Sequence, residues 1–406
     1  MTQLLSYDIR VDLNSDIEAH SLPMGTNTRD PGMTSMAKTL VGPSYAWRRR
    51  AALAACATTR KVDAAIVSAK EDVSYLTGFS GEDSVVVFSR EWAFLVTDGR
   101  YQEQAAQECS GIAIHVRTES THRAVASVIK GRNVRRLGVQ AEHITLQARD
   151  MLQSALGSRT IVPVAGLTLS IRATKSSAEL ACIRKAIRVA EKAIRKVIAP
   201  GARALIGKTE REVAAKLEYH MMCLGASGAA FETIVACGAN SSRPHYRPGD
   251  VRIKRGQAVL IDWGARVAGY CSDLTRTFFT GTIPPKLAKV YGVVLHAQAA
   301  GIACVSPGRV GRSVDLAARK IVAAAGFGDA FIHSLGHGIG LAVHEQPVLG
   351  SLATGRLRKA MVVTVEPGVY LPGIGGVRIE DDVLVTSTGR QRLSRLPRRL
   401  DSMLLR

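Results

Sequence analysis

The stretch GHGIGLAVHEQP, residues 336–347, sets His337 and His344 seven positions apart, with Gly336, Gly338 and Gly340 around the first and Glu345 directly after the second. Imidazole is a common metal ligand and the side chain that titrates nearest neutral pH. Glycine costs conformational entropy inside a regular element, so three in five positions suggest a backbone or an ion approaching closely. His333, four residues before His337, has the spacing of a helical zinc pair, but the glycines argue against a helix here. His337 is therefore a candidate ligand carried on a glycine-flanked, non-helical segment.

Candidate partners for it are carboxylates that interrupt strand-like runs. In AVLIDWGARVAGYCSDLTRTFF, Asp262 and Asp273 each break an apolar or β-branched run, where a charge is costly unless solvated or paired. In VVTVEPGVY, Glu366 follows four strand-forming residues and precedes Pro367 and Gly368, which end the strand and leave the carboxylate at its tip. In GVRIEDDVLV, period-two alternation puts Arg378, Glu380 and Asp382 on one face and Val377 and Ile379 on the other. Each acid alone reads as an edge or turn residue. Four carboxylates and one imidazole sharing a pocket would repel one another without cations, and two divalent ions would offset most of that charge. Oxygen-rich ligation with a single nitrogen suits manganese first, then zinc, cobalt or iron, and does not describe a thiolate site. Two such ions about 3.5–4 Å apart can hold a bridging hydroxide near neutral pH, and hydrolysis is the chemistry that follows.

The elements that must position these groups are mixed. Of 406 residues, 46% are hydrophobic, enough for two packed cores. Residues 1–45 are polar, rich in turn formers and without periodicity, and are expected to be a disordered or loosely attached arm. From 46 to 172, short β-rich runs alternate with helical stretches, as in an α/β domain. From 173 to 406 strands and helices lack a regular βαβ rhythm, so the class is α+β. Ser176 and Glu179 have capping-box spacing, and Leu180, Ile183, Ile187, Ala190, Ile194 and Val197 follow at three- and four-residue intervals, predicting a long amphipathic helix. TEREVAAKLEYHMMCLG and VDLAARKIVAAAG predict two more.

Arg and Lys total 54 against 34 acids, a formal net charge of +20. The basic residues are scattered, and their densest groups, Arg48–Arg50, Arg132–Arg136 and Arg395–Arg399, lack the interleaved aromatics that stack bases. The charge reads as a solvated surface, and nucleic acid is not an expected partner. Seven cysteines without paired spacing read as reduced thiols, and the acid-containing first twenty residues do not form a signal peptide. No apolar run approaches the roughly 18 residues of a membrane span. The expectation is a cytoplasmic enzyme without a membrane partner.

FETIVACGANSSRPHY, DWGARVAGYCSDLTRTF, HSLGHGIGLAVHE, TVEPGVY and GVRIEDDVLVT, in this order, resemble the creatinase and aminopeptidase P family of "pita-bread" metallopeptidases. YLTGFSG and LVTDGRY resemble that family's amino-terminal domain. The resemblance covers about residues 48–395. It implies a pita-bread catalytic domain behind a smaller α/β creatinase-like domain, a homodimer, and a proline-containing peptide as substrate, cut as a dipeptide or at the amino terminus of a longer chain. It further implies five metal ligands: Asp262 on one ion, His337 and Glu366 on the other, Asp273 and Glu380 on both. Glu366 would also orient or deprotonate the nucleophile. His245 and His344 would face the substrate, steadying the carbonyl oxygen or the proline nitrogen as the tetrahedral intermediate forms. His333 and Arg378 match supporting positions, the arginine fixing Glu380 or meeting a substrate carboxylate. Cys237, Tyr246 and Cys271 depart from the family pattern and could reshape the pocket or leave it oxidation-sensitive.

Two other readings share parts of this pattern. A small-molecule C–N hydrolase of the same fold, similar to ectoine hydrolase, would keep the ligands. A non-catalytic binding protein would have lost them, and here all five are present.

Overall fold

The computed structural model describes residues 44–406, so the expected amino-terminal arm lies outside the described residues. The amino-terminal portion is built on a six-stranded sheet ordered Ala113–Arg117, Ala93–Asp98, Val85–Phe88, Ala64–Val67, Arg136–Gln140, Thr160–Val164. Val85–Phe88 runs antiparallel to both its neighbours, and the other three pairs are parallel. Alternation along each strand divides its apolar residues between two cores. Ala64, Ile66, Val85 and Val87 face the helices Thr121–Ile129 and Leu146–Leu156. Ala65, Val67, Val86 and Phe88 face Leu53 and Leu76, and this second core continues into the carboxy-terminal portion through Ile183, Ile187, Tyr270, Ile339 and Leu341. One face of the sheet is thus sealed by two of its own helices, and the other is covered jointly by the helices that carry Leu53 and Leu76 and by the part of the chain that carries the candidate ligands.

The carboxy-terminal portion opens with the helix Ser177–Ile198, capped reciprocally by Ser176 and Glu179 as the sequence predicts. Glu210–Cys223 and Gly311–Ala324 match the other two predicted helices. The rest comprises a four-stranded sheet containing Ala258–Trp263 and Leu274–Thr280, a five-stranded sheet containing Gly336–Gly338, Val362–Val365 and Asp381–Val385, a three-stranded sheet, and the hairpin Gly368–Leu371 with Gly375–Arg378. Their inner faces, these three helices and a fourth, Pro285–Cys304, share one large core centred on residues such as Val259, Ile261, Val294, Val363 and Val365. The whole is α+β.

The structure corrects two expectations. The helix Pro285–Cys304 has no counterpart in the sequence reading, and its best 18-residue window has a mean hydropathy of 1.3, so by length and composition an apolar run of membrane-span size does exist. Here it is a core helix. Leu287, Val290, Val294 and Ala297 are buried, and Gln298, also buried, donates to the Asp381 carboxylate at 3.0 Å. The stretch GVRIEDDVLV is not one strand. Gly375–Arg378 and Asp381–Val385 belong to different sheets, and Ile379 and Glu380 form the break between them.

Candidate metal centre

Antiparallel pairing places Asp262 opposite Thr275, with Asp273 immediately before the second strand. Glu366 follows the strand Val362–Val365, and its backbone N–H donates to Leu335 O at 2.9 Å, fixing the tip. His337 lies in the strand Gly336–Gly338, paired through Gly338 with Val363. Glu380 leaves the break after Arg378, and its N–H donates to Thr275 O at 3.1 Å. Four separate segments therefore deliver five side chains to one place.

Asp273, His337 and Glu380 each offer one donor atom, and these atoms lie within 4.8 Å of one another. His337 Nε2 stands 3.2 Å from Glu366 Oε1 and 3.8 Å from Asp273 Oδ2. His337 Nδ1 meets the Gly338 carbonyl at 3.1 Å, which requires a proton on Nδ1 and leaves Nε2 as the coordinating nitrogen. The Thr364 hydroxyl accepts from His337 N and donates to Glu366 Oε1, both at 3.1 Å. The Thr275 hydroxyl donates to Glu380 Oε2 at 2.6 Å.

Asp262 Oδ1, Glu380 Oε1 and Asp382 Oδ1 are buried and have no hydrogen-bond partner among the described residues. Unpaired buried carboxylate oxygens carry a large desolvation cost. Burial, and then the neighbouring acids, hold Asp273 and Glu380 well above the usual carboxylate range; for Asp273 the neighbours are Glu380, Asp262 and Glu366. Burial opposes charge on His337, but its contact with Glu366 raises it on balance, and the same contact draws Glu366 down to about 2 against the upward pull of burial. Crowded acids, unpaired oxygens and one imidazole nitrogen aimed at them form a donor set that fits divalent cations with oxygen-rich ligation.

Arg378 does not hold Glu380. Its Nη2 donates to Asp262 Oδ2 at 2.6 Å, its Nε to Thr275 Oγ1 at 3.1 Å and its Nη1 to Tyr370 Oη at 2.7 Å. The break at 379–380 separates the two side chains that unbroken alternation would have set together, and Glu380 is left to Thr275. His333 likewise turns away from the ligands. Its Nδ1 must donate to Ser334 O at 2.8 Å, so Nε2, 2.9 Å from Tyr370 Oη, accepts from the phenol. A directed chain runs from Asp262 through Arg378 and Tyr370 to His333. Burial pushes Tyr370 up to about 12, so the phenol keeps its proton. Tyr370, Thr275 and Thr364 were not singled out by sequence; an aromatic and two β-branched residues are ordinary strand formers.

His344 packs its ring against His337, with centroids 4.3 Å apart at 70°, and burial and His337 push it down to about 4. His245 is exposed on the turn after Ser241. That turn is tethered by Pro244 O, which accepts from Arg378 Nη1 at 3.3 Å, and by Glu210, which is fully buried. Glu210 accepts from Cys237 N at 2.8 Å, Asn240 Nδ2 at 3.0 Å and Tyr246 Oη at 2.8 Å. Cys237 and Tyr246 therefore belong to the anchor of this turn. Cys237 and Cys271 are both buried, which raises each thiol to about 12 and argues against ready oxidation. The glycines admit the close approach that the sequence suggests, and at Gly336 and Gly338 what approaches is backbone. A side chain on Gly336 would strike Thr364, one on Gly338 the Gln346 carbonyl, and one on Gly340 the Glu345 carboxylate, so they admit neighbouring strands and a side chain.

An oxygen-rich centre of this kind, at the meeting of two sheets, defines a class of metal-dependent hydrolase. The chain belongs to metallopeptidase family M24, which matches residues 181–387, with a creatinase/prolidase N-terminal domain matching residues 49–174. It is 36% identical to the Xaa-Pro dipeptidase of Pyrococcus horikoshii over 84% of this chain and 94% of that protein. Among solved structures, an Xaa-Pro dipeptidase from Bacillus anthracis superposes with a TM-score of 0.85 at 34% identity, covering 89% of this chain and all of that one. An X-Pro aminopeptidase from Thermotoga maritima gives 0.78 at 33% identity, covering 85% and 97%. The α+β catalytic portion is accordingly of the pita-bread type.

Proposed function

We propose that this chain hydrolyses the Xaa-Pro bond of dipeptides or of peptides with a free amino terminus, using two divalent ions, manganese first, held by Asp262, Asp273, His337, Glu366 and Glu380. The observation that carries this reading is the convergence of Asp273, His337 and Glu380, with Glu366 against His337 and buried oxygens of Asp262 and Glu380 left unpaired. Relatives named as Xaa-Pro dipeptidase and aminopeptidase support the substrate class.

When bound, the ions supply Lewis acidity and make a water available as a nucleophile near neutral pH. The protein's own residues do the rest. Glu366, aimed by Thr364, accepts the proton of the attacking water. His344 is neutral at pH 7 and donates an N–H toward charge developing on the scissile carbonyl oxygen. His245, on its anchored turn, meets the substrate from the opposite segment and steadies the proline nitrogen as it leaves. Arg378 fixes Asp262 and, through Tyr370, His333.

The manganese-loaded protein should release proline from Ala-Pro, or alanine from Ala-Pro-Ala, and leave ectoine intact, with products followed by chromatography. The ratio of the two peptide rates assigns dipeptidase or aminopeptidase preference. Turnover of ectoine alone would replace this reading with a small-molecule hydrolase.

A further inference from the structure

Behind the strand Glu345–Leu349 that follows His344, six charged side chains are buried together: Arg48, Asp72, Arg172, Lys175, Glu179 and Glu345, none more than 7% exposed. Arg172 is their centre. Its Nη1 donates to Asp72 Oδ1 at 2.6 Å and its Nη2 to Glu345 Oε1. Lys175 Nζ adds a second cation to Glu345 at 3.2 Å. Asp72 also accepts from Thr168 and from Gln140 Nε2 at 2.6 Å, and Gln140 Oε1 accepts the backbone N–H groups of Ser68 and Ala69 at 2.8 and 3.0 Å. An unbroken polar chain therefore runs from the amino-terminal sheet to the residue next to His344.

The local geometry at Glu345 is tight. Its Oε1 also accepts Ala342 N at 3.0 Å, so the segment 340–344 is folded around the carboxylate, and a Cβ on Gly340 would lie 2.6 Å from Oε2. Three cations face three anions, so the cluster is neutral as a whole, while loss of one partner leaves a buried charge uncompensated. Buried ion pairs contribute little net stability against apolar packing, and their best-attested use is fixing one arrangement among several.

We propose that Glu345 is a positioning residue: held by Arg172 and Lys175, it sets the place of His344, and through Asp72 it makes that place depend on the amino-terminal domain. This rests on the peptidase reading above, in which His344 acts on the substrate.

The test is a double-mutant cycle on manganese-loaded enzyme with an Xaa-Pro substrate. Glu345→Gln should lower kcat by about 10- to 100-fold, the effect of a displaced catalytic group, with KM within about twofold and metal content unchanged. His344→Ala should lower kcat similarly, and the double variant should be no slower than His344→Ala alone, because the two act as a unit. Asp72→Asn, which touches neither the substrate nor His344, should share the kcat loss in weaker form. Multiplying losses in the double variant, or a fall in melting temperature with kcat unchanged in Glu345→Gln and Asp72→Asn, would make the cluster structural and overturn the proposal. If Glu345→Gln fails to fold, Asp72→Asn in the His344→Ala background gives the same comparison. An unmodified enzyme inactive on Xaa-Pro substrates would instead reject the peptidase reading itself.

Discussion

At the scale of residues, the site is a problem of charge that the chain does not solve alone. Asp262 and Glu366 are held by positive partners, Arg378 for the first and His337 for the second, while Glu380 has only the Thr275 hydroxyl. Replacing either with alanine should remove metal loading and turnover while leaving helix content by circular dichroism unchanged; undiminished activity in either variant would discard the ligand assignment. Asp262, Asp273, Glu366, Glu380 and His337 were legible in the sequence because charge in a strand and glycine beside histidine are both costly, and cost is visible in a residue string. What Arg378, Tyr370 and His333 do was not legible. Their roles depend on which hydrogen bonds remain unfilled after folding: the sequence leaves Arg378 between Glu380 and a substrate carboxylate, and its guanidinium meets Asp262.

At the scale of elements, the glycines of the strand Gly336–Gly338 are steric devices. Gly338→Ala would place a Cβ 2.9 Å from Pro347 N and closer still to the Gln346 carbonyl, whereas Gly355 has open space around it. Gly338→Ala should cost about 1–3 kcal/mol, the usual range for overpacking, and Gly355→Ala far less, as read from urea denaturation midpoints; equal midpoints would remove the steric explanation. The helix Ser177–Ile198 was readable because its apolar residues recur on one face and its cap is a local signal. Pro285–Cys304 was not. Its buried residues Leu287, Val290, Tyr291, Val294, Ala297, Gln298 and Gly301 do lie on one face, but the half-buried Val293, Leu295 and Ile302 are apolar too, so the contrast that periodicity detects is weak, and Gly292 and Gly301 further blur it. The break at Ile379–Glu380 escaped for the opposite reason: the alternation looks perfect across it, and only the hand-over between two sheets interrupts the strand.

At the scale of the whole molecule, the metal-free protein should be unusually sensitive to pH. Burial and mutual repulsion raise Asp273 and Glu380 in the fold, and Glu366 raises His337, so the native state binds more protons than the unfolded chain. Stability therefore falls as pH rises above the ordinary carboxylate values of 3.8–4.5 and on through the histidine value of 6.5. After chelation, the melting temperature should drop steadily between pH 5 and 8. Divalent metal at about 100 times its dissociation constant should restore about 2.7 kcal/mol and flatten the slope. A chelated protein as stable at pH 8 as at pH 5 would contradict the crowding of these acids. The net charge of +20 understates how basic the surface is, since among the described residues ten acids but only six bases are buried.

The buried ionic joint also limits how the chain can be recombined. Arg48 and Asp72 come from the first portion, Glu179 and Glu345 from the second, and Arg172 and Lys175 from the segment between. A hybrid that grafts the first 150 residues of a relative onto this catalytic half inherits stranded ions unless the donor supplies both an arginine and an aspartate at matching places. Compatibility of the two halves is thus decided by a handful of hidden charges, and surface likeness between donor and recipient is no guide to whether such a hybrid will work.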